Sequence, residues 1–243
     1  MKPVCLTVGG SDSCSGAGIQ ADLRVFEHLG VKGCSAITAL TAQNPDQIIS
    51  IHPSPIGHFL SELESIHQYY EITCIKTGML LDDKHIQKLS DFLHHIHYSA
   101  GLVIDSVFVS TSGKSLLEKN AISILLETLT PFASLITPNH DEAQVILGKP
   151  IEDPLEAASE MMLKLKTPVL LKGGDRDGET IQDLFCDTSG DVMVFKHARK
   201  NLHKDSAHGT GCRLASAISA YIALGEPLEQ AVHNAEAWLQ TAL

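Results

Sequence analysis

Apolar residues occur in two patterns along this chain, as short uninterrupted runs and as longer stretches with helical spacing. The first run, 3–8, predicts a buried strand, and the stretch 16–29 predicts a helix with Ile19, Leu23 and Phe26 on one face. By the same reasoning, further strands are predicted at 32–42, 47–51, 74–79, 102–105, 134–137, 168–172, 183–186 and 192–196. Further helices are predicted at 56–69, 82–97, 115–129, from 139 onward, and at 154–166, 210–224 and 228–243.

This alternation predicts an α/β fold with a mostly parallel central sheet covered by helices on both faces. In such sheets, ligands bind beyond the carboxyl ends of the strands. Several glycine-rich or polar segments directly follow predicted strands: Gly9-Gly10, Gly78-Met79, Asp105, Asn139, Gly173-Gly174 and the loop before Gly209. We therefore expect these segments to converge on one cleft.

The segment 208–212 (His-Gly-Thr-Gly-Cys) precedes a run of small apolar residues that predicts a helix. A glycine turn at a helix start directs unpaired backbone N–H groups and the positive end of the helix dipole at one point, which suits an anion. The same position is expected to lower the pKa of Cys212, which could then transfer protons or simply line the anion site. A glycine-rich helix start with a buried cysteine is the alternative interpretation.

The composition excludes several classes of protein. The 243 residues contain no Pro/Ser-rich or charge-rich linker, which predicts a single domain over 1–243. No apolar run reaches the roughly 18 residues of a membrane span, and the first residues do not resemble a signal peptide, so a cytoplasmic protein is expected. A net charge of -11 argues against a nucleic-acid surface.

Six cysteines without a C-x-x-C pair indicate reduced thiols rather than disulfides or a zinc site. The histidines His85, His94, His95 and His97 are predicted to lie on a solvated helix face. Residues 112–115 (Ser-Gly-Lys-Ser) imitate the end of a P-loop, but Phe108 stands where its first glycine should be, which favours a helix N-cap.

Sequence blocks at 10–12, 15–24, 36–44, 76–80, 136–139 with Glu142, 171–174 and 208–212 occur in one order over the whole length. In this combination the chain resembles the hydroxymethylpyrimidine and phosphomethylpyrimidine kinases of thiamin biosynthesis, which belong to the ribokinase-like superfamily. The resemblance implies ATP-dependent phosphorylation of an aminopyrimidine hydroxymethyl group, and then of the resulting monophosphate. It also implies Mg²⁺ and a homodimer.

The resemblance assigns roles to matching positions. The pyrimidine pocket would comprise Gly10, Ala17, Asp22, Gln43, Met79 and Val107. Asp105 and Glu142 would hold magnesium, and the nucleotide would contact Asn139, Lys172, Gly209 and Gly211. Catalysis would rest on Cys212, Gly209, Thr210, Gly211 and Lys172, with Cys212 where most ribokinase-like kinases have an aspartate base. Glu142 could instead serve only as a helix cap.

Two alternatives stay open. A pyridoxal kinase of the cysteine-bearing type phosphorylates a ring of similar size, although Gln43 and Met79 favour the pyrimidine. A degenerate kinase fold that binds a pyrimidine without catalysis is the other alternative. Residues 204–207 motivate it, because they lack the usual Thr and Asn groups that would face the nucleotide. Cys14 in the first loop and Arg213 after the cysteine also depart from the family pattern.

Overall fold

A computed structural model describes residues 2–108, 116–174, 178–201, 203 and 208–242. Its strands are β1 (Val4–Asp12), β2 (Lys32–Asn44), β3 (Gln47–Pro53), β4 (Cys74–Thr77), β5 (Gly101–Ile104), β6 (Leu135–Ile136), β7 (Val169–Leu171), β8 (Thr180–Cys186) and β9 (Val192–Ala198). They form one sheet, in the order β3-β2-β1-β4-β5-β6-β7-β8-β9. Neighbours from β2 to β7 run parallel, whereas β3 at one edge and the β8–β9 hairpin at the other are antiparallel.

The α-helices of the described residues lie close to their predicted positions. They are α1 (Gly18–His28), α2 (Ile56–Tyr69), α3 (Asp83–His95), α4 (Lys119–Thr128), α5 (His140–Leu147), α6 (Pro154–Leu165), α7 (Thr210–Ala223) and α8 (Leu228–Ala242). Side chains of Asp82, Asn139 and Asp153 cap α3, α5 and α6 by accepting backbone hydrogen bonds. None of these described helices combines the length and apolar character needed to cross a membrane.

The hydrophobic core lies in two layers, one on each face of the sheet. Successive strand residues alternate between them: Leu102 and Ile104 pack into the layer under α2 to α6, whereas Val103 packs into the layer under α1, α7 and α8. Strands buried on both faces read as continuous apolar runs, which is the pattern in the sequence. The predicted parallel sheet with helices on both faces is confirmed.

The structure corrects the predicted start of the chain. Strand β1 was expected to end at Val8 but continues to Asp12, because Gly10, Ser11 and Asp12 pair with the long strand β2. Helix α1 was expected from Gly16 but begins at Gly18, after a turn in which Asp12 accepts the N–H groups of Cys14 and Ala17. Long-range pairing and side-chain capping therefore decide these boundaries.

The histidine prediction was wrong at His85. This residue is only 1% exposed, and its ring nitrogens lie 2.8 Å from Asp82 Oδ1 and 3.1 Å from the Ser54 carbonyl oxygen. Both ring nitrogens thus have polar partners inside the protein. The predicted N-cap at 112–115 lies outside the described residues, and helix α4 begins at Lys119.

Candidate active site

A cavity of about 480 Å³ opens at the carboxyl ends of the parallel strands. Every residue predicted for the site lines this cavity, although the residues come from segments far apart in sequence. The convergence follows from the topology, since the carboxyl ends of parallel strands meet at one edge of the sheet. The volume is that of an ordinary small-molecule site.

The start of helix α7 forms one wall of the cavity. Gly209 has φ 79°, in the left-handed region, and a Cβ there would collide with the Gly16 carbonyl oxygen. Only glycine therefore permits this close approach of the two loops. The N–H groups of Thr210, Gly211 and Cys212 lie in the first helical turn, where they have no intrahelical partner. A Cβ on Gly211 would lie 3.2 Å from Lys172 Nζ, so a lysine ammonium stands beside these N–H groups.

Behind this wall lies a lysine–aspartate cluster formed by Lys76, Lys172, Asp22 and Asp105. Lys76 Nζ is 3.1 Å from both carboxylate oxygens of Asp22 and 3.7 Å from Asp105 Oδ2. Lys172 Nζ donates to Asp105 Oδ1 at 3.1 Å. Asp22 also accepts hydrogen bonds from Thr7 and Ser216. Each buried charge of this cluster thus has an opposite charge beside it.

The pairing sets the ionisation of the cluster. Burial opposes the charge on Asp105, but Lys172 and Lys76 outweigh it and hold the pKa of this carboxyl below its usual value. Burial likewise opposes the charge on both ammonium groups. The neighbouring carboxylates outweigh it and raise the pKa of Lys76 and of Lys172. All three groups are therefore charged at neutral pH.

The expected low pKa of Cys212 is corrected by this environment. Burial among protein atoms, together with the nearby Asp105 and Asp22, raises the pKa of Cys212 to about 12. Lys76 and Lys172 act in the opposite direction, but their charges are offset by the carboxylates that they pair with. Cys212 is therefore a neutral thiol at physiological pH.

The other end of the cavity is less charged. The Met79 methyl group lies against Gly10, where a Cβ would collide with it, and the Met79 carbonyl oxygen accepts a hydrogen bond from Thr38 at 2.6 Å. The Gln43 side-chain nitrogen lies 3.0 Å from His208 Nε2, which is 3.1 Å from Asp12 Oδ2. This end combines the apolar Met79 side chain with a few fixed polar groups, an arrangement suited to a small heteroaromatic ring.

Comparison with known proteins agrees with this geometry. The family model for phosphomethylpyrimidine kinase matches residues 12–243. The chain belongs to this family. It is 37% identical over 244 residues to the hydroxymethylpyrimidine/phosphomethylpyrimidine kinase of Haemophilus influenzae, covering 98% of this chain and 90% of that protein.

Solved structures show the same family relationship and the same fold. The phosphomethylpyrimidine kinase of Clostridium difficile 630 is 33% identical over 99% of both chains, with a TM-score of 0.85. The pyridoxal kinase of Staphylococcus aureus in complex with AMP-PCP and pyridoxal is 27% identical, with a TM-score of 0.86 over 99% of this chain and 87% of that one. The predicted ribokinase-like fold and the recognised family are confirmed, and the ATP-analogue complex supports the use of ATP.

Within this family site, Glu142 has the capping contacts that were considered as an alternative. Its carboxylate accepts the N–H groups of Asn139 and Phe108, while the Asn139 side chain accepts the Glu142 N–H in return. Burial and the nearby Asp105 raise the pKa of Glu142 to about 7, against the lowering effect of Lys172 and the two N–H groups. Glu142 and Asp105 both line the cavity, and their negative charges repel one another. A metal ion held by both carboxylates would relieve this repulsion, so the capping contacts are compatible with a metal role.

Sequence reasoning missed the roles of Lys76, Asp12 and His208. Lys76 was part of a matching block but received no function, although a lysine inside the apolar run of β4 signals a buried charge. Asp12 and His208 lie 196 residues apart, and only the folded chain brings them together. Residues 204–207, which depart from the family pattern, lie outside the described residues.

Proposed function

We propose that this protein transfers the γ-phosphoryl group of ATP to the hydroxymethyl group of 4-amino-5-hydroxymethyl-2-methylpyrimidine, and then phosphorylates the monophosphate to the diphosphate. The observation that carries the proposal is one cavity that joins an anion-binding helix start to a weakly charged ring pocket. The activity for which the Haemophilus influenzae relative is named supports it.

The proposed chemistry depends on positioning and on positive charge. The hydroxyl oxygen forms a bond to the γ-phosphorus, the bond between that phosphorus and the ADP oxygen breaks, ADP leaves, and the hydroxyl proton passes to solvent water. The N–H groups at the start of α7, together with Lys172, would stabilise the negative charge of the transferring group. Cys212 would donate a hydrogen bond to the transferring group or simply line the anion site. It does not act as a preformed thiolate, because its pKa is about 12.

We place magnesium at Asp105 and Glu142. Both are oxygen donors on the cavity wall, and Mg²⁺ usually keeps several of its waters, so existing contacts of the two carboxylates are compatible with holding it through water. Asp22, Gln43 and Met79 would position the ring, with Gly10, Ala17 and Val107 completing the pocket. Asp22 is already held by Lys76, Thr7 and Ser216, which fixes its orientation.

Steady-state kinetics test the substrate. We expect kcat/KM for the hydroxymethylpyrimidine and its monophosphate to exceed that for pyridoxal. The similarity to the Staphylococcus aureus pyridoxal kinase favours pyridoxal as the second candidate, and a higher kcat/KM for pyridoxal would select it. Pyrimidine binding without ATP turnover would instead support the degenerate kinase.

The anion-binding helix start is tested by the pair Cys212→Ser and Gly211→Asp. Loss of a general base costs about 10²–10⁴-fold in rate, so Cys212→Ser should lose less than about 100-fold if positioning dominates. Gly211→Asp adds a carboxylate beside Lys172 and should lose more than about 10³-fold. Gly57→Asp is the control, because Gly57 lies in the first turn of α2 with open space around it. Equal activity of the two site variants would contradict the assignment.

A homodimer, a cytoplasmic location and a single domain over 1–243 remain predictions. Light scattering during size-exclusion chromatography measures the oligomeric state, and limited proteolysis tests whether the chain forms a single domain.

A further inference from the structure

A second cluster of ionisable side chains lies at the β8–β9 end of the sheet, apart from the lysine–aspartate cluster. It consists of Asp183 in β8, His197 in β9 and Glu236 in α8, and one ligand atom from each lies within 4.8 Å of the other two. Asp183 and Glu236 are only 5% and 4% exposed. None of the three residues takes part in the proposed phosphoryl transfer.

The hairpin fixes two members of this cluster. Asp183 pairs with Phe195, so His197 is the diagonal neighbour two residues along β9 on the same face. Asp183 Oδ2 lies 3.5 Å from His197 Nε2, and Asp183 Oδ1 accepts the Gly173 N–H at 2.6 Å. The carboxylate of Asp183 is therefore held with one oxygen directed at the imidazole.

Helix α8 brings the third member to this face. The His233 ring of α8 lies against the Phe195 ring of β9, with centroids 6.2 Å apart, and Lys200 donates to the Gln240 carbonyl oxygen. Glu236 lies one turn after His233 and faces the hairpin. Neither of its carboxylate oxygens has a hydrogen-bond partner among the described residues.

A buried carboxylate without a partner is costly, and natural proteins compensate it with a proton, a positive side chain or a bound cation. Burial and the neighbouring Asp183 raise the pKa of Glu236 to about 9. Without a ligand, the carboxyl therefore holds a proton at neutral pH. A cation that binds here would replace that proton and would link the unpartnered carboxylate oxygens of Glu236 to His197.

We propose that Asp183, His197 and Glu236 bind a divalent first-row transition metal ion of the Zn²⁺ type. One imidazole and two carboxylates form a mixed nitrogen and oxygen set, which Zn²⁺ accepts, whereas Mg²⁺ and Ca²⁺ take oxygen ligands. Three protein ligands leave a position for water. Asp183 and His197 also line the large cavity, which gives the ion a path of entry. Bound metal would join α8 to the β8–β9 hairpin.

Metal titration of the full chain after chelator treatment tests the site. Calorimetry with Zn²⁺ should show one tight equivalent, and Co²⁺ should give the visible absorption of a low-coordinate nitrogen and oxygen site. Glu236→Gln and His197→Asn should each weaken binding at least about 100-fold, since even outer-shell partners of metal ligands are worth about 10–100-fold. Glu229→Gln is the matched control, because Glu229 lies exposed in the first turn of the same helix.

Other outcomes would overturn the proposal. Asp12, Cys14 and His208 form another group with metal-ligand geometry, so Cys14→Ser is included. Binding that survives in Glu236→Gln and disappears in Cys14→Ser would place the ion there. Absence of Zn²⁺ binding to the unsubstituted chain would also overturn the proposal, and a proton would then be what neutralises Glu236. A Zn²⁺-dependent rise in Tm that the Glu236→Gln variant lacks would support the proposed site.

Discussion

Two groups of buried carboxylates lie along the same sheet, and their surroundings shift the carboxyl pKa in opposite directions. In the lysine–aspartate cluster, Asp22 and Asp105 stand beside Lys76 and Lys172. In the second cluster, Asp183 has the His197 imidazole and the Gly173 N–H among its partners, whereas the Glu236 carboxylate has no hydrogen-bond partner among the described residues. The pKa is lowered for Asp105 and raised to about 9 for Glu236.

The difference shows how burial and pairing compete. Burial disfavours the charged form of both carboxylates, and at Asp105 the close positive charges of Lys172 and Lys76 reverse that effect. In the first cluster the positive charges belong to the chain, so the site is charged and ordered before any ligand binds. In the second, the carboxylate oxygens of Glu236 have no hydrogen-bond partner among the described residues, which leaves that position open to a proton or a metal ion.

The largest effect is expected from Lys76→Met, which removes the cation between two buried aspartates. Breaking a buried ion pair from one side costs about 3–5 kcal/mol, because the remaining charge has no partner. Urea denaturation should show this loss in the free energy of unfolding. Lys196→Met on the exposed face of β9 serves as the control. A loss below about 1 kcal/mol would mean that Lys76 does not neutralise the cluster.

An intermediate effect is expected in the reactivity of Cys212. Its pKa of about 12 keeps it a thiol at pH 7.5, so alkylation should be at least about tenfold slower than at the exposed Cys14. The rate at Cys212 should rise with pH by about tenfold per unit below pH 10, as the thiolate fraction grows. Mass spectrometry of peptides follows both sites. Fast, pH-independent labelling of Cys212 at neutral pH would show that the lysine charges are not offset by the aspartates.

The smallest effect is expected from Glu236→Gln in the presence of a chelator. This substitution keeps the shape of the side chain and removes no hydrogen bond seen among the described residues, so the free energy of unfolding should change by less than about 1 kcal/mol. Denaturation alongside Lys76→Met measures the contrast directly. A loss as large as that of Lys76→Met would show that Glu236 has a strong partner within the protein, and the comparison would fail.

Much of the site could be predicted because its parts are local in sequence. Each strand of the parallel sheet ends in a recognisable loop, and the topology of such sheets brings those loops together. The residues predicted from 208–212, 171–174 and 136–142 accordingly line one cavity. Their chemical state was less predictable. Cys212 was expected to tend toward a thiolate, but its neighbours Asp105 and Asp22 come from distant segments.

The alternation of strands and helices, the parallel sheet, the family and many of the residues that line the cavity could be predicted from the order of amino acids. Periodicity, caps and glycine turns are short-range signals, and they act before the chain is folded. The pairing of charges, by contrast, depends on contacts that exist only in the folded chain. Lys76 pairs with Asp22, which is 54 residues away in sequence, and His85 is buried. Glu236 lies beside Asp183, but the Glu236 carboxylate has no hydrogen-bond partner among the described residues. Burial and long-range contact control ionisation, and neither is encoded in a local pattern.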